Sequence, residues 1–285
     1  MDEQGFSNNQ ITTPSTPFRP RETRKLSGVG ELFKESFRVC KDRIRTFLGV
    51  AVISILGYIV IAFMSIAGFL SLAFALSLGK WFIPILIAII LLLVLVFVEL
   101  WPLLAIVYAV EGRKQRRGVK ESLKKGWKKI HSLFWILLLQ SILAELGFII
   151  VLLMSIVSAP TLLFIPLLIA AAVWSLIVWT WFVLAIPILV AENLKGTVAL
   201  VRSKQLLKGN WGSVFWRLFV MSIFIGGIAW LGGAAFGLVP YGYIPDGILN
   251  IFLLFFILTF LFLLYEDLKK IEIESILPGE RSDTN

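Results

Sequence analysis

Long apolar stretches separated by short basic ones run the length of this chain. Between Phe82 and Val110 the only carboxylate or cation is Glu99, and between Leu133 and Val190 it is Glu145. Such stretches exceed the roughly 20 apolar residues that a helix needs to cross hydrocarbon. The pattern predicts spans at 47–78, 82–110, 132–158, 161–190, 213–238 and 246–266. Several are longer than a bilayer requires, so tilt or kinks must absorb the excess. Pro84, Pro102, Pro166 and Pro187 are the expected kink points, because proline removes a backbone donor. Turns at Gly79-Lys80, Ser158-Ala159-Pro160 and Val239-Pro240-Tyr241-Gly242 close three hairpins.

A basic segment precedes each hairpin. In the first, Val29, Phe33, Phe37, Cys40, Ile44 and Phe47 recur at helical steps, while Lys34, Arg38, Lys41 and Arg45 recur on another face. The second sets Val119, Leu123, Trp127 and Ile130 against Lys120, Lys124 and Lys128. In the third, Leu200, Leu206 and Leu207 stand beside Arg202, Lys204 and Lys208. Helices of this kind are expected in the headgroup region, with cations on lipid phosphates.

The three segments also align on one another. Ser36, Ser122 and Ser203 coincide, each followed ten residues later by a small hydroxyl: Thr46, Ser132 and Ser213. Glu111 and Glu192 lie eleven residues before the second and third serines. The expected fold is an all-α integral membrane protein whose six transmembrane helices form three parallel repeats, at about 28–110, 114–190 and 195–266. The polar stretches 1–27 and 271–285 read as tails of a membrane domain spanning 28–270.

Composition agrees, with 58% hydrophobic and 16% charged residues, where a soluble domain carries about a quarter charged. The net charge of +9 is not a nucleic-acid signature, because the cations lie beside the spans. Segments 19–45, 113–129 and 195–208 hold nine, nine and four Lys or Arg residues, against Lys80 alone in the opposite turns. That asymmetry predicts that both termini are cytoplasmic; the membrane expected is the plasma membrane. The expected partner is the bilayer, with anionic lipid headgroups on the basic segments.

Catalytic and metal chemistry find little support. Cys40 and His131 are single, which argues against a disulfide or a zinc site, and no cofactor is expected. No Gly-rich phosphate loop, HExxH or GxSxG occurs. The polar residues of interest lie inside spans. Counted from Glu111 and Ser132, Glu99 and Glu145 sit at similar depth, about 18–20 Å in. A carboxylate there is protonated, paired or facing water. One reading gives the two acids a shared polar cavity for a proton, cation or lipid amine, with Ser141 on the face of Glu145 and Gln140 beside it. The other makes each a packing acid. Arg217 is the only cation inside a span. Ala229-xxx-Gly233-xxx-Gly237 has the spacing of a close helix contact.

Three stretches carry a family resemblance: ENLKGTVALVRSKQLLKGNWGSVF from Glu192, GVKESLKKGWKKIHSLFWILL from Gly118, and LLYEDLKK from Leu263. Together they resemble the membrane domain of the glycerophosphoryl diester phosphodiesterase family and related multi-pass bacterial proteins. The resemblance covers roughly Gly28 to Lys270 and implies membrane architecture. The soluble catalytic barrel that some relatives carry, with its acidic metal ligands and histidines, has no counterpart here. The expected function is a non-enzymatic membrane scaffold or lipid-associated accessory. The alternative is a transporter of a small solute, ion or lipid using Glu99 and Glu145.

Overall fold

The computed structural model describes residues 26–77, 82–113, 118–156, 161–239 and 241–276. Among these, every regular element is an α-helix. The order is α1 (Val29–Asp42), α2 (Ile44–Ser77), α3 (Phe82–Glu111), α4 (Val119–Ile156), α5 (Thr161–Phe182), α6 (Ala185–Ala191), α7 (Gly196–Leu207), α8 (Trp211–Gly237) and α9 (Tyr243–Ile276). Six stretches, on α2, α3, α4, α5–α6, α8 and α9, are long and apolar enough to cross a membrane. The chain therefore fits a multi-pass, all-helical membrane protein.

Local chemistry explains most of the boundaries. The first helix, α1, starts at Gly28, whose N–H donates to the Glu31 carboxylate at 3.2 Å. That bond supplies an acceptor for a backbone donor the helix itself leaves unpaired. Pro187 cannot donate to the carbonyl four residues back, and α5 gives way to α6 across residues 183–184. Pro102 and Pro166 are instead absorbed within α3 and α5. The side chain of Pro84 and the turns at 78–81 and 157–160 lie outside the described residues. The last turn is described at Val239, Tyr241 and Gly242. A Cβ on Gly242 would collide with the Phe236 carbonyl, so only glycine fits.

Three expectations change. The second basic segment is not a separate helix, since α4 runs unbroken from Val119 into the third span. The last helix, α9, continues to Ile276, past the expected tail boundary at 270. The inward face of α1 is Leu32, Ser36, Val39 and Cys40, while Phe37 is 59% exposed. This helix does not rest on lipid alone; it packs on α9, with Phe33 against Phe256 and Phe260 and also against Phe224 of α8, at ring distances of 4.9–5.5 Å.

Buried residues gather toward the end of the bundle that carries the basic segments. Leu104 to Val110 of α3, Leu184 to Val190, and Phe255 to Leu268 of α9 supply most of this core. The most enclosed span is α9, and the most open is α8. Toward the opposite end the exposed positions are apolar, such as Phe63, Leu92, Ile150, Ile169 and Trp230. Lipid tails solvate such side chains as well as a protein core does, so no hydrophobic force compels them to pack. Where α4 and α5 do meet closely, Gly147 permits it: a Cβ there would stand 3.1 Å from the Ala171 Cα.

Candidate functional site

The LLYEDLKK stretch lies in the C-terminal half of α9, and its polar residues leave the helix in different directions. Successive side chains on a helix diverge by about 100°, so adjacent residues cannot share a partner. The Tyr265 hydroxyl and the Lys269 ammonium both donate to the Glu192 carboxylate, at 3.0 and 3.1 Å. Glu266 accepts from Arg113 at 2.6 Å. Asp267 accepts from the Ser27 backbone N–H at 2.7 Å and its hydroxyl at 3.0 Å. One turn on, Glu272 takes both arms of Arg202, at 2.8 and 2.6 Å. This one helix end therefore ties down the segment before α1, the α3–α4 corner and the α6–α7 corner.

Other cations complete the collar by capping carbonyls. Arg217 donates to the Ser27, Leu26 and Ser213 carbonyls at 2.8–3.1 Å. The one cation inside the expected spans thus clamps the chain before α1. Arg43 donates to the Gly112 carbonyl at 2.9 Å and to the Arg113 carbonyl. Lys129 donates to the carbonyls of Asn193 and Leu194 at 3.1 and 3.2 Å. Asn193 sits at φ 52°. Asparagine tolerates this left-handed conformation, which turns the chain so that Glu192 faces α9.

Electrostatics follow the geometry. Burial by itself would raise the Glu192 pKa, but the hydrogen bonds from Lys269 and Tyr265 and the charges of Lys269 and Arg202 outweigh it, so the carboxyl is held below its ordinary range. Burial pushes the Cys40 thiol up, only partly offset by its contact with Thr259 at 3.6 Å. Cys40 is therefore a packing residue. Among the described residues no cluster of His, Cys, Asp and Glu could hold a metal ion.

Most of the described cations fall into two groups, with Lys125 paired to Glu121 and Lys195 and Lys270 exposed besides. Arg43, Arg113, Lys129, Arg202, Arg217 and Lys269 face internal acceptors. Lys34, Arg38, Lys41, Arg45, Lys120, Lys124, Lys128, Lys204 and Lys208 are all exposed, and none pairs with a carboxylate among the described residues. Three grooves lie beside the second group. One of about 400 Å³ lies along the contact of α1 with α8 and α9; one of about 710 Å³ lies between the start of α4 and α2–α3; one of about 520 Å³ lies between α7 and the ends of α5 and α8.

The aligned serines are all inside: Ser36, Ser122 and Ser203 have no exposed surface. Ser203 donates to the Trp181 carbonyl at 2.7 Å and Ser122 to the Gly118 carbonyl at 3.1 Å, whereas the Ser36 hydroxyl has no partner among the described residues.

The intramembrane acids do not share a depth. Phe97 of α3 stacks on Phe134 of α4 at 6.3 Å, and a Cβ on Gly126 would face the Ala105 backbone. This antiparallel register sets Glu99 level with Ser132, which leaves Glu145 about 20 Å further along the helix. Counting along the sequence treats Glu111 and Ser132 as one boundary, and that is wrong, since α3 reaches beyond the level of Ser132. Ser141 and Glu145 are exposed on one face of α4, and Gln140 is buried on another. The side chain of Glu99 lies outside the described residues.

The small-residue stripe of α8 does not meet α9: Gly233 and Gly237 face outward with nothing near a built Cβ, Ala229 is half-buried, and the glycine that admits α9 is Gly232, against Leu249. The collar was not foreseen from the sequence. Its available signal was the acid–base run Tyr265-Glu266-Asp267-Leu268-Lys269, which no single apolar surface could accept. Compared with family models, curated proteins and solved structures, the chain matches none of them.

Proposed function

We propose that this chain is a non-enzymatic scaffold of a bacterial plasma membrane that holds anionic lipid on its cytoplasmic side. The observation that carries the reading is the division of the cations. Internal acceptors occupy one set, and ten others, the nine named above with Lys195, are left exposed on the three basic segments without carboxylate partners among the described residues. Each Lys or Arg near an anionic surface contributes about 1 kcal/mol, so a cluster of them binds appreciably.

Orientation follows from the positive-inside bias, with both termini cytoplasmic. The threefold alignment enters as architecture: the second and third basic segments pack on the hairpins before them, and α1 closes the circuit on α9. The resemblance to the phosphodiesterase membrane domain fits the same reading, because LLYEDLKK is the stretch that ties the basic segments together. A transporter built on Glu99 and Glu145 is disfavoured by the separation of these acids along the bundle.

The test is lipid selectivity of the whole protein. Purified from mixed phosphatidylcholine and phosphatidylglycerol, it should retain phosphatidylglycerol in clear excess over the supplied ratio. Retention in the supplied ratio refutes the reading. Labelling of cysteines introduced near either terminus checks the orientation.

A further inference from the structure

The three grooves open at positions that the sequence alignment makes equivalent. Counted from the aligned serine, the same edge of each basic helix lines its groove: Lys34 and Phe37 on α1, Lys120 and Leu123 on α4, Val201 and Lys204 on α7. On each helix the serine faces inward and is fully buried. The groove edge of each helix thus combines a lysine with an apolar residue. Across the groove stand aromatic side chains: Phe224 and Phe256 opposite α1, Trp101 opposite α4, and Trp181 with Trp211 beside α7.

The α4 groove is the most developed. Lys120, Lys124 and Lys128 recur every four residues along its edge. They cover about 12 Å of helix at the α-helical rise. Trp101 is held in place by its indole N–H, which donates to the Leu123 carbonyl at 2.9 Å, and Trp127 meets it edge-on at 5.3 Å. Ile53, Val119 and Leu123 complete an apolar floor. An occupant must carry negative charge at one end and an apolar body at the other. A soluble anion would leave the floor uncovered, and an apolar helix would bury ammonium groups without partners. In the α7 groove, Lys204 and Lys208 flank Trp211, whose buried indole N–H has no acceptor among the described residues.

We propose that these grooves are seats for anionic phospholipid, with the phosphate on the lysines and the glycerol and upper acyl chain on the aromatic floor. The α4 seat is the tightest, having three lysines where the α7 seat has two and the α1 seat has one. The inference rests on the scaffold reading above, in taking the basic face to meet anionic headgroups, and it adds the places and their ranking.

The experiment uses the full chain in nanodiscs of phosphatidylcholine with phosphatidylglycerol, with retained lipid counted by native mass spectrometry. Substituting Lys120→Gln, Lys124→Gln and Lys128→Gln together should weaken the tightest retained phosphatidylglycerol by roughly a hundredfold, at about 1 kcal/mol per cation. The corresponding Arg substitutions should keep it, which separates charge from folding. Lys125→Gln, on a residue paired with Glu121 at 3.2 Å, should leave retention unchanged. Phosphatidylglycerol preference that survives the triple Gln variant overturns the seats while leaving the scaffold reading standing. No preference in the unaltered protein overturns both. Equal loss in the Lys125 variant overturns the site and points to net charge.

Discussion

Replacing Glu192 with Gln removes one charge at the centre of the collar while keeping the side chain's shape. The carboxylate accepts from Tyr265 at 3.0 Å and Lys269 at 3.1 Å, with Arg202 longer at 3.4 Å. Hydrogen bonds to a charged group contribute about 1.5–3 kcal/mol each. Three facts reduce the sum. The Gln carbonyl still accepts one bond, Arg202 keeps its two bonds to Glu272, and the Lys269 side chain is 37% exposed and so regains water. The expected loss is about 2 kcal/mol, or about 4–8 °C in Tm for a chain of this size. Thermal unfolding of the purified protein, followed by tryptophan fluorescence, would measure it. The pH profile gives a second readout. The folded pKa of Glu192 lies below its ordinary value of 4.5. Its contribution is therefore complete above that value and is lost as pH falls through the folded pKa. The gap between the two proteins should stay constant from neutral pH to about 4.5 and close below it. A neutral-pH difference under about 0.5 kcal/mol, or a gap that persists undiminished in strong acid, would refute the reasoning.

The aligned serines should separate by their partners. Ser203→Ala is expected to cost about 1 kcal/mol, because it removes a hydrogen bond to the Trp181 carbonyl. Ser36→Ala should be neutral or slightly stabilising, since its hydroxyl is buried without a partner. Denaturation of both variants would show the contrast. Gly147→Leu should destabilise by about 1–3 kcal/mol through overpacking, because its Cβ would press on Ala171. Gly233 faces outward with nothing near a built Cβ. In the same assay Gly233→Leu should stay within about 0.5 kcal/mol of the unaltered protein. Arg217→Met strips the clamp from the Leu26 and Ser27 carbonyls. Hydrogen exchange should then rise around Ser27 and the first turn of α1 and remain unchanged in α5.

How much could be read from residue order alone differs by feature. The spans were legible because exclusion from water acts residue by residue, and a charge-free run of more than about 20 residues has few alternatives. The basic segments were legible for a similar reason, with the exposed lysines of α1 and α4 standing where helical spacing placed them. The inward face of α1 was not. Phe33 and Phe37 outweigh Ser36 on any hydrophobic scale, yet Ser36 is buried and Phe37 lies in a groove. In a protein surrounded by lipid, apolarity does not tell a buried position from one facing outward. The same ambiguity hides on α8 that Gly232, rather than Gly233, admits α9.

By itself the sequence determined that this is a helical membrane protein of six apolar spans with its cations gathered into three segments, because burial in hydrocarbon is a property of composition along the chain. Tertiary structure decided which cations are occupied and which remain available. Arg113 and Lys120 look alike in sequence, but one bonds Glu266, more than a hundred residues away, and the other stands exposed beside a groove. It also decided that Glu99 and Glu145 lie apart, through a register set by Phe97 and Phe134. Pairing across distant segments depends on which helix ends meet, and that is a property of the packed bundle rather than of any stretch within it.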